Sequence, residues 1–122
     1  MFEDISRITK ELNALRESRT LILVEGKRDQ EALQRLGFSQ ITTISTHLDG
    51  VSQEIALLSK TCAILTDLDP AGRRLHARIS RDVQVLGVAV DDRLRRALLT
   101  SPRVKHIEAL DKCIVKANLH NG

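Results

Sequence analysis

The chain is nearly devoid of aromatic residues. Tryptophan and tyrosine are missing from its 122 residues, leaving only Phe2 and Phe38. The core must therefore be aliphatic, and there is no platform of rings on which single-stranded bases could stack. Cysteine is scarce as well. Cys62 and Cys113 have no metal-ligand spacing, and Cys62 lies in an apolar run, as a small buried thiol does. No apolar run has the length needed to cross a bilayer. The start, "MFEDISR", is acidic where a secretory leader would be basic and then apolar. A reducing cytoplasm is the expected setting. Long linkers, internal repeats and low-complexity runs are absent too, so the chain reads as one domain over residues 1–122.

Excess charge of one sign is small overall, +3, but it is unevenly spread. Between Arg73 and Arg103 eight arginines stand against Asp82, Asp91 and Asp92, a local +5 that leaves −2 for the remainder. Arginine forks suit phosphates, and such asymmetry fits a polyanionic partner. It fits equally well a set of solvated helix faces laced by i,i+4 pairs.

What is present is an alternation of two hydrophobic periods. Ile5, Ile8, Leu12 and Leu15 share a helical stripe over residues 2–16. Strands are predicted at 21–24, 41–44, 62–66 and 83–90. Helical stripes separate them: Ala32, Leu33 and Leu36 before a capping Gly37; Val51, Ile55 and Leu58; and a segment from Pro70 to Ile79. Leu94 and Leu98 share a further face, as do Ile107, Leu110 and Ile114. Aliphatic strands alternating with helices indicate an α/β fold of about four parallel strands with helices on both faces. The core is expected over residues 20–90, after an N-terminal helix over 1–18 and before a C-terminal helical extension over 91–122.

In such open sheets ligands bind outside the carboxyl ends of the strands. Two stretches place acids there. "LILVEGKRDQEAL" sets Glu25 after the first strand, and "CAILTDLDPAGRRL" sets Asp67 and Asp69 after the third. If those strands are neighbours, three carboxylates meet on one edge. Such hard oxygen donors suit magnesium, which takes one or two protein carboxylates and keeps several waters. Gly26 and Gly72 permit close backbone approach at both turns, and amides of the helix starting near Pro70 add donors for an anion. Taken singly, Asp67 or Asp69 reads more simply as a helix cap. The four histidines, His47, His76, His106 and His120, have no ligand spacing and read as surface or loop positions.

"LVEGKRD" and "LTDLDPAG" resemble the paired signatures of the Toprim domain, shared by topoisomerases, bacterial primases, certain nucleases and recombination proteins. The likeness covers residues 20–90, and the whole chain is similar to small stand-alone Toprim proteins found chiefly in archaea. The resemblance implies a Toprim-type Rossmann-like fold, with Glu25 as acid/base in phosphodiester chemistry. It implies that Asp67 and Asp69, with Glu25 beside them, hold magnesium, or manganese in its place. Lys27, Arg28 and Asp29 occupy the variable polar positions after the glutamate. Lys27, Arg28, Arg73 and Arg74 are the expected phosphate contacts, with Gly26 and Gly72 at the turns.

Departures narrow the family. Without tyrosine the chain is not a complete topoisomerase, which joins DNA covalently to that residue. Arg73 stands where type IA enzymes carry a glutamate, and Ala71 where type II enzymes carry a third aspartate. Two cysteines cannot build the zinc module of recombination mediators, and there is no room for a primase's further domains. Two readings follow. One is a magnesium-dependent nuclease acting on DNA or RNA, resembling the short Toprim ribonuclease that matures ribosomal RNA. The other is a non-catalytic nucleic-acid-binding or adaptor module, as a homodimer or within a larger processing complex.

Overall fold

The computed structural model describes residues 2–44, 48–101 and 106–112. Helix α1, Phe2–Glu17, buries Ile5, Ile8, Leu12 and Leu15, the stripe that its sequence spacing predicts. There follow β1 (Leu21–Val24), α2 (Lys27–Arg35), β2 (Ile41–Thr43) and α3 (Leu48–Leu58). The second half contributes β3 (Thr61–Ile64), α4 (Pro70–Val85), β4 (Ala89–Val90), α5 (Arg93–Leu99) and a 3₁₀ turn, Ile107–Ala109.

The four strands form one all-parallel sheet in the order β2-β1-β3-β4. Ile22 stands between Ile41 and Ala63, opening the ladder to β2 and central in the ladder to β3. The architecture is α/β and Rossmann-like, with helices on both faces. Alternate strand residues divide the core in two. Ile22, Val24, Ala63 and Leu65 meet α1, α2 and α5 through Leu12, Leu33 and Leu98. On the other face Leu23, Cys62 and Ile64 meet α3 and α4 through Val51, Ile55, Ile79 and Val83. The chain thus leaves β1 towards one face and leaves its neighbour β3 towards the other. That divergence opens a crevice at the carboxyl ends of the two strands.

Three local expectations are corrected. Residues 83–90 are not a single strand: α4 continues to Val85, and only Ala89–Val90 is extended. Val83 lies one turn beyond Ile79 on the same buried stripe, so the apparent alternation of valines belongs to a helix end. Gly87, at φ 86°, then turns the chain into β4. The third strand ends at Ile64, so Asp67 and Asp69 lie in the loop beyond it. Leu58 is 60% exposed and lies off the buried stripe of α3. The readings on His47, Arg103, Cys113, Ile114 and His120 fall outside the described residues.

Cys62 is fully buried, and burial pushes its thiol up to about 11. A neutral thiol in a closed core is a poor nucleophile. Cys62 should escape iodoacetamide in the native protein and react once the chain is unfolded, as peptide mass mapping will show. Alkylation in the native state would mean that the β3 core opens readily.

Candidate metal centre at the ends of β1 and β3

Parallel pairing of β1 with β3 brings the two acidic stretches together. Glu25 directly follows β1, and its Oε2 accepts a hydrogen bond from the Asp67 amide at 2.7 Å. Asp67 is partly buried. Its Oδ1 accepts from the Ile107 amide at 3.3 Å, and its Oδ2 lies 3.8 Å from Nδ1 of His106. Asp69 caps α4: its Oδ1 accepts from the Gly72 amide at 2.7 Å. The cap and the ligand readings of Asp69 are therefore compatible, since a carboxylate has a second oxygen.

Asp67, Asp69 and His106 each offer a ligand atom, all within 4.8 Å of one another. Glu25 is not part of that trio; it sits beside Asp67, with one carboxylate oxygen committed to the backbone amide. The expected three-acid set is thus rearranged into two aspartates and a histidine flanked by Glu25. His106 was legible only as a loop residue, because nothing in its spacing links it to Asp67. A cleft of about 310 Å³ adjoins the group, lined among others by Lys27, Arg28, Asp29, Asp67 and His106.

The loop carrying the aspartates is clamped from below. Thr66, fully buried, donates from its hydroxyl to the Gly72 carbonyl at 2.6 Å. Gly72 approaches the same loop so closely that a Cβ there would lie 2.0 Å from the Asp67 carbonyl oxygen. Arg95, only 3% exposed, donates to the carbonyls of Thr66 at 2.6 Å and Asp67 at 3.1 Å. Arg73 adds a bond from Nε to the Leu68 carbonyl at 3.0 Å. Arg95 cannot be singled out in the sequence, where it is one of several arginines beside Leu94 and Leu98. Gly26, by contrast, has no steric requirement: a Cβ there would meet nothing within 4 Å. Two of the amides at the start of α4 are also engaged, since those of Gly72 and Arg73 bond back to Asp69.

Two acids at the crevice hold their protons more tightly than usual. Burial is the main cause for Glu25; repulsion from Asp67 adds to it, and the hydrogen bond from the Asp67 amide opposes it. Burial also leads for Asp29, followed by repulsion from Asp67. Asp29 is 9% exposed and accepts from the Gly26 amide, tying down the start of α2. A carboxyl whose pKa is raised by folding favours the folded state while protonated, and that contribution is lost as pH rises through the folded value. Glu25→Gln is therefore expected to raise the melting temperature near neutral pH, a gain that vanishes in acid below the ordinary 4.5 of this group. An equal gain at both pH values would exclude titration of Glu25 as its cause.

Most of the described arginines between Arg73 and Arg96 are engaged within the chain. Arg78 pairs with Asp49 and Asp82, Arg81 with Asp82, Arg93 with Asp91 and Arg96 with Asp92. These are solvated helix-face and turn pairs, worth little in stability. Lys27 and Arg28 border the metal-site cleft, Arg73 is fastened to the acidic loop, and Arg74 is exposed.

Relatives align over nearly the whole chain. A UPF0292 protein of Methanosarcina barkeri is 32% identical over 98% of this chain and 87% of its own length. The chain belongs to the UPF0292 family. A UPF0292 protein of Pyrococcus furiosus is 35% identical over 88% of this chain and 84% of its own. No established family profile matches this UPF0292 chain. Among solved structures, a protein from Aquifex aeolicus superimposes with a TM-score of 0.68 at 26% identity, covering 88% of this chain and 95% of the other. Among the described residues no helix is long and apolar enough to cross a membrane.

Proposed function

We propose that this UPF0292 chain is a small cytoplasmic Toprim-type protein that carries out metal-dependent phosphodiester chemistry on nucleic acid. The observation that carries this reading is that Asp67, Asp69 and His106 offer ligand atoms within 4.8 Å of one another, while Glu25, from the neighbouring strand end, is hydrogen-bonded beside them to the Asp67 amide. The donors suit a divalent cation. Asp67 and Asp69 supply hard oxygens, and the partial exposure of the group leaves room for the waters that magnesium keeps. The imidazole of His106 adds a donor that manganese accepts.

A bound divalent ion would supply charge neutralisation at the scissile phosphate. The chain's own residues would do the rest. Asp67 and Asp69 would hold the ion against a loop that Thr66, Gly72, Arg73 and Arg95 keep fixed. Glu25, whose proton affinity burial raises, is suited to pass a proton to or from the attacking or leaving oxygen. Lys27 and Arg28 border the cleft where a neighbouring phosphate would lie. Without aromatic platforms, recognition rests on the phosphate backbone and falls steeply with salt.

Labelled duplex and single-stranded DNA and RNA, incubated with magnesium or manganese beside Glu25→Gln, test the reading directly. Cleavage by the parent protein and its loss in the variant are expected. Binding without cleavage in every arm would favour the adaptor module instead.

A further inference from the structure

A second cleft, of about 260 Å³, lies between α4 and α5. It is lined by Arg73, His76, Asp92, Arg95, Arg96 and Leu99. Three cations face one carboxylate, and Asp92 is already paired with Arg96 at 2.9 Å. Burial, and next the positive charge of Arg73, disfavour the charged form of Arg95. The Nε2 of His76 is buried with no hydrogen-bond partner among the described residues. Burial and the positive charge of Arg95 hold this imidazole below its ordinary proton affinity, so near neutral pH it is an uncharged group with a nitrogen to offer.

Like charges gathered around a cavity, beside a buried polar atom without a partner, are costly unless an anion completes them. The wall is otherwise carbon, from Leu99 and the arginine stems, so the space suits a compact oxyanion better than a large polar ligand. Arg73 and Arg95 also grip the loop that presents Asp67, which fixes this cleft immediately beside the acids.

We infer that the α4–α5 cleft is a phosphate-binding subsite that seats a backbone phosphate of the nucleic acid next to the one held at the acids. The inference rests on the phosphodiester reading and names a contact surface for it. The donors are His76 Nε2, in the tautomer that places the ring proton there, and the outer nitrogens of Arg73 and Arg96, and buried Arg95 supplies charge from behind.

The test uses the full chain with EDTA present, so that metal binding does not enter. Titration with inorganic phosphate should shift the imidazole NMR signals of His76 in the parent protein and much less in Arg96→Gln. A short duplex should shift the same signals. In anisotropy titrations against salt, Arg96→Gln should lower the slope by about one. Arg81→Gln, at an exposed site elsewhere on α4, should leave it unchanged. His76→Ala should weaken duplex binding with its melting temperature retained.

Absence of a His76 shift with either probe would overturn the subsite. So would an equal loss of slope in the Arg81 control. A shift with inorganic phosphate but not with duplex would assign the cleft to a free phosphate and overturn its nucleic-acid role. Manganese binding, followed separately by electron paramagnetic resonance, reports on the acids alone. Its failure would remove the metal-dependent reading without altering the His76 result.

Discussion

Gly72→Ala is expected to cost about 3 kcal/mol or more, because an overpacked site of this kind cannot relax by turning a side chain. The added Cβ would lie 2.0 Å from the Asp67 carbonyl oxygen, 2.5 Å from its carbonyl carbon and 2.9 Å from its Cα. All three are backbone atoms. Relief requires the loop to move away from α4, and that breaks the bonds which define the loop. The Gly72 carbonyl accepts from Thr66, and the Gly72 amide donates to Asp69. Arg95 holds the same segment from below. For a domain of this size the melting temperature should fall by roughly 10 °C. The acids should lose their common geometry at the same time, so weaker manganese binding should accompany the fall. A variant that melts within about 2 °C of the parent would show that the loop has slack which these bonds do not suggest.

Asp67→Asn should have the largest effect on the metal centre and little effect on the fold. Asp67 is the residue on which the site turns. Its amide donates to Glu25, its Oδ1 accepts from Ile107, and its Oδ2 lies beside His106. An asparagine retains the amide and one carbonyl acceptor, so those backbone contacts survive. It loses the negative charge. Replacing groups that only support a ligand already costs about 10- to 100-fold in metal affinity, so loss of a ligand's charge should cost at least that much. Any magnesium-dependent cleavage should disappear with it, while circular dichroism remains that of the parent. A separate consequence follows from electrostatics. Repulsion from Asp67 helps to raise both Glu25 and Asp29, so both carboxyls should titrate at lower pH in Asp67→Asn. Unchanged manganese affinity would place the ion elsewhere, and unchanged titration of Glu25 would mean that the charge of Asp67 has no part in its proton affinity.

The amino-acid order by itself determined the layer architecture. The continuous apolar runs read as strands at 21–24 and 62–66 suit burial on both faces of a parallel sheet, and the stripe from Ile5 to Leu15 fits a helix. It also placed Glu25, Asp67 and Asp69 just beyond strand ends, since an acid that follows a buried strand must surface there. Local pattern failed at residues 83–90, where valines two apart satisfied a strand period while Ile79 and Val83 satisfied the helix. The buried face of α4 decided that conflict.

Only the tertiary structure could decide which strands are neighbours, and therefore that the acids meet at all. It alone brought in His106 from a distant turn. It sank Arg95 beneath the loop while its neighbours Arg93 and Arg96 stayed on the surface in pairs with aspartates. The physical reason is one of range. Hydrophobic periods act over a few residues and are written in the chain, whereas partners for a charge or a metal ligand are chosen among side chains tens of residues apart, after the sheet has closed.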